Sequence, residues 1–443
     1  MVILRTAGEA LQRALGSELD QLGRDTGAIR RRRKFSGMTL LRTLIWTVLR
    51  VGRPKADDYA TTAGLLGVAV TPRAIEKRFT ARLVVFLRSA LERLLGEALA
   101  AAPAAIPLLT RFTGVFLGDA TTIRLPDEYA AEFPGCGGKS GSGRAAVKIQ
   151  VLWDLCGGRL IRLLLEPGRC HDTNSRAVAD VPPAGSLTIR DLGYFDLSRF
   201  REWIAGGAHW ISRWQPGTLA FHPDGRPLDL LEHLGRHPAG APFDAPVLLG
   251  AAERLACRLI ALRAPQEVAA RRRRKAYAAA QKHGGVPSRE HLAWCAWTVF
   301  VTDCPVALLT WKEVVVLYRS RWQIELMFKL WKSHNHLAIH PEVKSSERRL
   351  GELWAKLIGV VLQHWLLLTT SWPDARRSLW KAAGVIRAGL VLVAAAVDEL
   401  DRLIDVLGHL QTTVAAIARV AARKKHPSWF QLVMNPEVLE WMT

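Results

Sequence analysis

The sequence predicts an α/β protein in which a mixed sheet is flanked by helices, with helical regions at both ends of the chain. Leucine and alanine recur at helical spacing in residues 1–108 and again in residues 373–443. The segments between them are short, apolar or alternating, and rich in β-branched residues, which is typical of strands. Further strand-like segments at 206–305 predict a β-rich insertion that separates two parts of the sheet domain, 109–205 and 306–372.

Composition and charge limit the classes of function. The chain has 443 residues, of which 49% are apolar, so two or more domains with substantial cores are expected. Lys and Arg number 61 against 40 Asp and Glu, and the resulting net charge of +21 predicts a polyanionic partner. Because this excess is spread over the whole chain, nucleic acid is favoured over a membrane surface as that partner.

Cysteines and apolar stretches indicate the compartment. Six cysteines are scattered without a Cys-x2-Cys pair, which fits a reducing compartment and argues against a structural zinc site. The longest apolar stretch, 357–370, contains Gln363 and His364 and is short for a membrane span, so we expect a buried helix there. These features predict a soluble cytoplasmic protein.

The N-terminal region is expected to be helical at 9–22, 40–51 and 81–99. Segment 60–79 predicts a helix, a turn and a second helix that begins at Pro72. A basic run lies between the first two helices: Arg30, Arg31, Arg32, Arg33 and Lys34. Two interpretations stay open, since these elements can contact DNA or can form the solvated face of a plain helical bundle.

Two aspartates end strand-like segments in the first part of the sheet domain. The apolar run 114–118 predicts a buried strand that ends at Asp119, and 186–190 predicts another that ends at Asp191. A hairpin is expected between them at 146–165. A carboxylate at the end of a buried strand is costly unless a partner such as a divalent metal compensates its charge. The alternative is that each aspartate is an ordinary turn residue.

The insertion and the C-terminal part follow the same patterns. Strands are expected at 209–214, 245–249, 257–262 and 298–302. A helix at 268–281 carries a second basic run, which either binds the DNA backbone or faces solvent: Arg271, Arg272, Arg273, Arg274 and Lys275. Beyond it we expect a long apolar helix at 350–371 and helices at 374–387 and 390–422.

The most specific pattern is the spacing of Tyr318, Arg321, Glu325 and Lys332. At about 100° per residue these side chains stand at roughly 0°, 300°, 340° and 320°, so on one continuous helix they form a single stripe. A capping box at 310–313 is expected to begin this helix. A carboxylate, two cations and a phenol suit a metal ion beside a phosphate, although the pair four residues apart also fits an ordinary surface ion pair.

The spacing Tyr-x2-Arg-x3-Glu-x6-Lys resembles the signature of the IS4-type DDE transposases, the group that includes the Tn5 and Tn10 enzymes. Asp119-Ala120-Thr121 after an apolar run and Asp191-Leu192-Gly193-Tyr194-Phe195 resemble the contexts of that family's two catalytic aspartates. The separations, 72 positions (191 − 119) and 134 positions (325 − 191), also agree. The resemblance covers about residues 110–370.

The resemblance implies an RNase H-like catalytic core interrupted by the β-rich insertion. It implies that Asp119, Asp191 and Glu325 are catalytic residues that bind two Mg²⁺ ions, for which Mn²⁺ can substitute. The implied activity is metal-dependent cleavage at insertion-sequence ends and strand transfer into target DNA, in a pathway that includes hairpin ends in the family. A nuclease without strand transfer and a non-catalytic DNA-binding derivative are the alternatives.

The resemblance also implies the contacts to DNA. Tyr318, Arg321 and Lys332 are expected to hold phosphates of the terminal inverted repeats. Trp297 is expected to stack on a flipped base, with Trp294 as the alternative and a core role for Trp297 left open. Both basic runs are expected to contact the DNA backbone. A homodimer that pairs two ends, with its interface in the C-terminal region, and association with the bacterial nucleoid complete these expectations.

Overall fold

The structure is a computed structural model. It describes residues 2–31, 33–97, 99, 101–103, 105–137, 144–176, 180–238, 240–338, 343, 345–372, 374–423 and 427–439. Arg32 of the first basic run lies outside these residues.

Most helices and strands lie where the sequence patterns predict them, but three expected helices have other bounds. The predicted helix 9–22 is divided between two helices, and the predicted helices 374–387 and 390–422 are Leu379–Ala396 and Leu400–Ile417 in the structure. The expected break is wrong because Gly389 lies inside a helix, where the lack of a side chain allows the close approach of Leu410. The N-terminal elements are α1 (Val2–Ala14), α2 (Glu18–Asp25), α3 (Gly37–Val51), α4 (Ala56–Leu65), α5 (Pro72–Glu76) and α6 (Ala81–Gly96). The next elements are β1 (Val115–Arg124), β2 (Ala146–Asp154), β3 (Leu160–Pro167), β4 (Leu187–Arg190), α7 (Leu197–Ala205) and β5 (His209–Arg213). They are followed by β6 (Ala220–Phe221), β7 (Pro227–Leu228), α8 (Leu230–Arg236), β8 (Phe243–Leu249), β9 (Leu255–Arg263), α9 (Gln266–Gln281), α10 (Arg289–Trp294) and β10 (Trp297–Thr302). The last elements are α11 (Trp311–Arg319), α12 (Trp322–Lys329), a π-helix (Leu330–His334), α13 (Ser346–Ser371), α14 (Leu379–Ala396), α15 (Leu400–Ile417) and α16 (Trp429–Met434).

The chain forms two compact units, and β1 contributes residues to both. The first unit comprises Met1–Ala105, Ala120–Cys170 and Gln323–Ala421. The second unit comprises Ile106–Asp119, His171–Trp322 and Ala422–Thr443. The five predicted domain ranges do not coincide with these units and stay a prediction.

The first unit is built around the long helix α13. This helix packs against α3, α6, α14 and α15, and every residue from Leu350 to Ser371 is buried. Its buried polar side chains have partners: Gln363 accepts a hydrogen bond of 2.6 Å from Asn335 Nδ2, and the His364 ring pairs with the Gly158 carbonyl at 2.7 Å. These bonds satisfy polar groups that burial otherwise makes costly.

Two helices, α13 and α14, are long and apolar enough to cross a membrane by length and composition alone. The apolar window of α13 is entirely buried inside the protein, whereas that of α14 is 39% buried. A core helix of a soluble protein passes the same test, and the complete burial of α13 agrees with the buried helix expected there.

The second unit contains a mixed sheet with the strand order β1-β4-β5-β10-β9-β8-β6-β7. β4 runs parallel to both β1 and β5, and the remaining pairs are antiparallel. Strands β6 to β9 lie between β5 and β10 in sequence, so the β-rich insertion is present. In the first unit β3 pairs antiparallel with β2, which neighbours β1, so the expected hairpin is also present. The α/β fold with helical ends is therefore confirmed.

β1 is longer than the sequence indicates, and Asp119 stands inside it rather than at its end. The strand continues to Arg124 between its neighbours β2 and β4, and the β-branched side chains of Thr121, Thr122 and Ile123 are compatible with the extended backbone. Thr121 and Ile123 are buried, whereas Thr122 and Arg124 are exposed. The prediction that β1 ends at Asp119 is wrong, although β4 does end directly before Asp191.

Residues 318–332 do not form one continuous α-helix, so the angular stripe drawn on a single helix is wrong as stated. The capping box of Thr310 and Glu313 begins α11 as predicted. The helix then breaks, because Arg321 N–H bonds the Tyr318 carbonyl three residues back at 3.1 Å. The Ser320 hydroxyl donates to the Leu317 carbonyl at 2.5 Å and so competes with the regular helical bonds.

Candidate active site

Asp119 and Asp191 stand side by side on neighbouring strands. The parallel register of β1 and β4 pairs Leu117 with Ile189 and Gly118 with Arg190, and each aspartate is the next residue on its strand path. Neighbouring strands are about 4.8 Å apart, so the two carboxylates start from the same level of the sheet. Two residues 72 positions apart (191 − 119) are thereby brought together.

The residue before each aspartate shapes this arrangement. The buried Arg190 guanidinium lies 5.5 Å from the ring centre of Tyr194 and 5.1 Å from that of Trp203. A Cβ atom on Gly118 would stand 2.9 Å from Arg190 Nε. Position 118 therefore needs glycine because the Arg190 side chain lies directly over it.

Arg321 reaches both carboxylates. Its Nη1 atom donates to Asp119 Oδ2 at 3.2 Å, and its Nε atom lies 3.9 Å from Asp191 Oδ1. The side chains of Arg321 and Asp119 are only 17% and 18% exposed, whereas that of Asp191 is 51% exposed. Two adjacent carboxylates repel each other, and the guanidinium supplies the positive charge that this arrangement requires. The sequence pattern predicted a phosphate contact for Arg321 and gave no sign of this bridge.

The two carboxylates fit a divalent metal. Carboxylate oxygens are the hard ligands that Mg²⁺ prefers, and the pair is open enough at Asp191 to admit a cation. The third predicted carboxylate, Glu325, is half-buried near the start of α12 in the first unit. Its assignment as a metal ligand rests on the motif spacing and stays a prediction.

Tyr318 lies at the end of α11 with its ring edge against Phe300, at a centroid distance of 5.2 Å. Burial raises the pKa of Tyr318 to about 12, and the charge of Arg321 only partly opposes this shift. The phenol is therefore neutral near pH 7, so it can donate a hydrogen bond to an anion.

A cavity of about 440 Å³ in the second unit, here called the arginine pocket, collects basic and aromatic side chains. It is lined by Arg213, Arg272, Thr298, Phe300, Val315, Tyr318, Arg319, Arg321, Trp322, Pro427, Trp429 and Leu432. None of these described lining residues is acidic. Four arginines beside aromatic rings suit a nucleotide, because guanidinium groups bind phosphate and rings stack on bases.

Contacts within the arginine pocket fix two of the arginines. Arg213 lies 5.5 Å from the ring centre of Phe300, and desolvation by burial lowers the pKa of its guanidinium. Arg272 donates to the Trp297 carbonyl at 2.9 Å and to Thr298 Oγ1 at 2.8 Å. Arg272 therefore anchors α9 to β10 in addition to lining the pocket, a role that the basic run alone does not indicate.

The tryptophan that was expected to stack on a base is buried, whereas another tryptophan is exposed. Trp297 is 8% exposed and belongs to the core of the second unit, and Trp294 stacks on Trp214 at 5.4 Å. Trp322 is 57% exposed and lines the arginine pocket. The stacking role of Trp297 stays a prediction, and it requires a ring that becomes accessible. Sequence reasoning missed Trp322 and Trp429, although Trp322 directly follows Arg321 in the motif.

The basic runs are only partly available to a ligand. Arg30, Arg31 and Arg33 are exposed, whereas Lys34 Nζ donates to the Ala69 carbonyl at 2.8 Å. In the second run Arg273 contacts the Leu292 carbonyl at 3.4 Å. Four members of that run are exposed, and Arg272 is half-buried; the exposed ones are Arg271, Arg273, Arg274 and Lys275. The DNA contacts of both runs stay predictions.

Two other aspartates are distinguished by their surroundings. Asp154 accepts backbone hydrogen bonds from Cys156 at 3.0 Å and from Gly157 at 2.9 Å, as expected of a turn residue. Asp172 lies near the turn that follows Asp191, since its Oδ2 atom would stand 3.0 Å from a Cβ on Gly193.

A second group of metal-type ligands lies elsewhere in this unit, where His209, Asp303 and Cys304 offer atoms within 4.8 Å of one another. His209 Nδ1 pairs with Asp303 Oδ2 at 2.6 Å, and Trp210 N–H donates to Asp303 Oδ1 at 2.8 Å. Burial raises the pKa of Cys304 to about 12, so its thiol is protonated near neutral pH. These bonds connect β5 to the residue that follows β10.

Comparisons with known proteins agree with the geometry. Residues 110–362 match the family model described as "Transposase DDE domain". The transposase for insertion sequence element IS231F of Bacillus thuringiensis subsp. israelensis is 28% identical over 434 residues, which cover 91% of this chain and 90% of that protein. The transposase for IS231C of Bacillus thuringiensis subsp. berliner is 28% identical over 462 residues, covering 97% and 95%. The transposase for IS1151 of Clostridium perfringens is 24% identical and covers 59% of each chain.

A DDE domain implies an RNase H-like core and the use of a divalent metal, in agreement with the mixed sheet and its paired aspartates. The family match covers more than half of the chain, and the IS231 relatives match it over most of their length. The protein therefore belongs to the insertion-sequence transposases that carry a DDE domain.

Proposed function

We propose that the protein is a cut-and-paste DNA transposase. It binds the terminal inverted repeats of an insertion sequence, cleaves the DNA there and joins the ends to target DNA. The observation that carries this proposal is the pair of aspartates at one level of the sheet, bridged by Arg321, in a chain of the DDE transposase family. The net charge of +21 supports a DNA partner and association with the nucleoid in the cytoplasm.

Three carboxylates hold the metal in this proposal: Asp119, Asp191 and Glu325. Two bound Mg²⁺ ions, or Mn²⁺ in their place, would activate a water or a 3′-hydroxyl and stabilise the leaving oxygen of a phosphodiester. Arg321 offsets the negative charge of the two aspartates before DNA binds, and its guanidinium can then turn a donor towards a phosphate. Tyr318 adds a neutral donor beside it.

The arginine pocket is proposed to hold the end of the transposon strand. Arg213 and Arg319 contribute positive charge there, and the exposed Trp322 ring offers a surface on which a base can stack. Lys332 is proposed to bind a further phosphate from the first unit. Hairpin ends are also proposed, on the family resemblance. A base that stacks on a ring at the cleaved end would leave room for the strand to fold back.

A homodimer is proposed through α14. One face of this helix is apolar and exposed, with Trp380, Val391 and Leu392 at 48%, 57% and 58% exposure. Such a face favours self-association because its burial removes apolar surface from water. Light scattering should show that Val391→Glu lowers the molar mass of the DNA complex. Val85→Glu is the matched control, since Val85 is also an exposed valine on a helix, at 52% exposure.

The test of catalysis uses a labelled duplex that carries the terminal repeat flanking the gene, a target duplex and Mg²⁺. Wild type should nick the end and join it to the target. Asp119→Asn, Asp191→Asn and Glu325→Gln should bind the end but cut at least about a thousandfold more slowly, because each removes a ligand charge without changing shape.

Two control variants make this test specific. Asp224→Asn, in an exposed turn, should cut like wild type. Asp172→Asn should retain cleavage, whereas loss of cleavage in this variant together with normal cleavage by Asp191→Asn would show that the second carboxylate is misassigned. Cleavage without joining would favour the nuclease alternative, and end binding without any cleavage by wild type would favour the non-catalytic derivative.

A further inference from the structure

A second cavity, of about 400 Å³, lies within the first unit. We call it the β1 cavity, and it is lined by Thr122, Ile123, Arg124, Leu125, Pro126, Lys332, Leu337, Ala338 and Arg349. Three of these side chains are cationic, and none of the nine is acidic. None of these nine described residues is aromatic, so they offer positive charge without a ring for base stacking.

β1 supplies one wall of the β1 cavity by simple alternation. Ile123 is 5% exposed, whereas Thr122 and Arg124 on either side of it in the strand are exposed. A hydroxyl donor and a guanidinium are therefore two positions apart on one face of a strand. This part of the strand lies beyond Asp119, where the sequence patterns predicted that the strand had ended.

Buried polar contacts hold the opposite wall in place. Asn335, directly after the π-helix, donates to Gln363 of α13 at 2.6 Å, and the buried Lys356 donates to the Ala338 carbonyl at 3.1 Å. Leu337 between them is 1% exposed. Segment 335–338 is thus fixed to the core helix and does not depend on a ligand for its position.

Two of the three cations lie on helices that flank segment 335–338 in the sequence. Lys332 lies in the π-helix, and partial desolvation lowers the pKa of its ammonium group. Arg349 lies in the first turn of α13, and its Nε atom donates to the Val343 carbonyl. That bond orients the guanidinium, which also lines the cavity.

We propose that Thr122, Arg124, Lys332 and Arg349 form a binding site for phosphodiester groups of the DNA backbone. The inference rests on the proposed function, which supplies the DNA that the site would bind. It adds Thr122, Arg124 and Arg349 to Lys332 of the motif. Charge without a stacking surface favours backbone over bases, so the site positions the duplex and does not read its sequence.

The experiment measures DNA affinity of the full-length protein against salt concentration. Each cation that neutralises a phosphate contributes about 0.9 to the slope of log Kd against log salt. Arg124→Gln and Arg349→Gln should each reduce that slope by about 0.9 and weaken binding roughly tenfold at low salt. The double variant should lose about 1.8 of the slope.

Charge-conserving and matched variants separate this role from a structural one. Arg124→Lys should recover most of the slope, and Arg402→Gln, an exposed arginine on α15, should leave it unchanged. Unchanged slope in Arg124→Gln and Arg349→Gln, while wild type cleaves transposon ends, overturns the inference and leaves the proposed function intact. Failure of wild type to cleave overturns the proposed function, whereas the slope measurement still decides whether the β1 cavity binds phosphates.

Two duplexes of equal length identify which DNA occupies the site. One carries the terminal repeat and the other an unrelated sequence. Equal losses on both duplexes mean that the site holds any DNA backbone, as expected of a sequence-independent contact. A loss restricted to the terminal-repeat duplex assigns the site to the transposon end, and a loss restricted to the unrelated duplex assigns it to target DNA.

Discussion

Because Arg321 bridges the two aspartates, we expect its replacement to lower the stability of the protein and to make that stability depend more strongly on Mg²⁺. In Arg321→Gln the aspartates keep their places on adjacent strands but lose the positive charge between them. The bond from Arg321 Nη1 to Asp119 Oδ2 is 3.2 Å long and joins two side chains that are 17% and 18% exposed. A charge-assisted hydrogen bond in such a setting stabilises by about 1.5–3 kcal/mol. The longer contact to the half-exposed Asp191 is screened by solvent and adds little.

The expected result is a lower melting temperature without metal and a larger response to metal. A loss of about 2 kcal/mol lowers the Tm of a unit of roughly 150–250 residues by about 4–8 °C. Mg²⁺ should then raise the Tm of Arg321→Gln more than that of wild type, because the cation no longer competes with the guanidinium for the carboxylates. Differential scanning fluorimetry over a range of Mg²⁺ concentrations measures both effects.

The matched control is Arg226→Gln, which removes a surface pair with Asp224 at 2.8 Å. It should leave the melting temperature and its Mg²⁺ dependence unchanged, because exposed pairs contribute little. The reasoning is refuted if Arg321→Gln melts like wild type in the absence of metal. An equal rise in the melting temperatures of wild type and Arg321→Gln on addition of Mg²⁺ also refutes it. The Arg321 guanidinium would then not compete with Mg²⁺ for the two carboxylates.

Three further outcomes are expected. Gly118→Ala should slow cleavage roughly tenfold or more with little change in DNA affinity. The added Cβ would displace Arg190 and shift the aspartates by a few tenths of an ångström. Single-turnover rates and a binding isotherm measure the two effects. Tyr318→Phe should weaken binding of the transposon end roughly fivefold, and that loss should be the same from pH 7 to pH 9, because the phenol, with its pKa raised to about 12, stays protonated over this range. The free energy of unfolding should fall as pH rises from about 9 to about 12. The Cys304 thiol ionises near pH 9 in the unfolded chain, whereas burial raises its pKa to about 12 in the folded protein. Between these values the unfolded chain loses the proton and the folded protein keeps it, so rising pH favours unfolding. Urea titrations at several pH values should show a flatter decline for Cys304→Ala, and an identical decline in the two proteins would contradict this source of the pH dependence.

Much of the candidate site is visible in the sequence because its signals are local. The capping box of Thr310 and Glu313 involves four consecutive residues, and the structure contains it as predicted. The spacing from Tyr318 to Lys332 identifies the family without any knowledge of distant contacts, and the family is confirmed. The hairpin of β2 and β3 follows from alternation and a Gly-Gly turn, and it too is present.

Local patterns fail where competing local geometries are close in energy. The continuation of β1 past Asp119 depends on pairing with neighbouring strands, which a run of ten residues does not reveal. The break at Ser320 depends on one hydroxyl that bonds a carbonyl three residues back. The spacing of apolar residues is the same whether or not β1 continues past Asp119 and whether or not the helix breaks at Ser320. It therefore predicts neither feature.

The sequence by itself determined the fold class, the basic character and the identity of the residues in the family motif. Each of these follows from composition or from spacings of a few residues. The tertiary structure alone decided that Asp119 and Asp191 share one level of the sheet, that Arg321 bridges them, and which tryptophan is exposed. It also decided that Arg124 and Arg349 share a cavity with Lys332. The physical reason is that strand register and side-chain burial are set by packing between residues far apart in the chain, which no local spacing encodes.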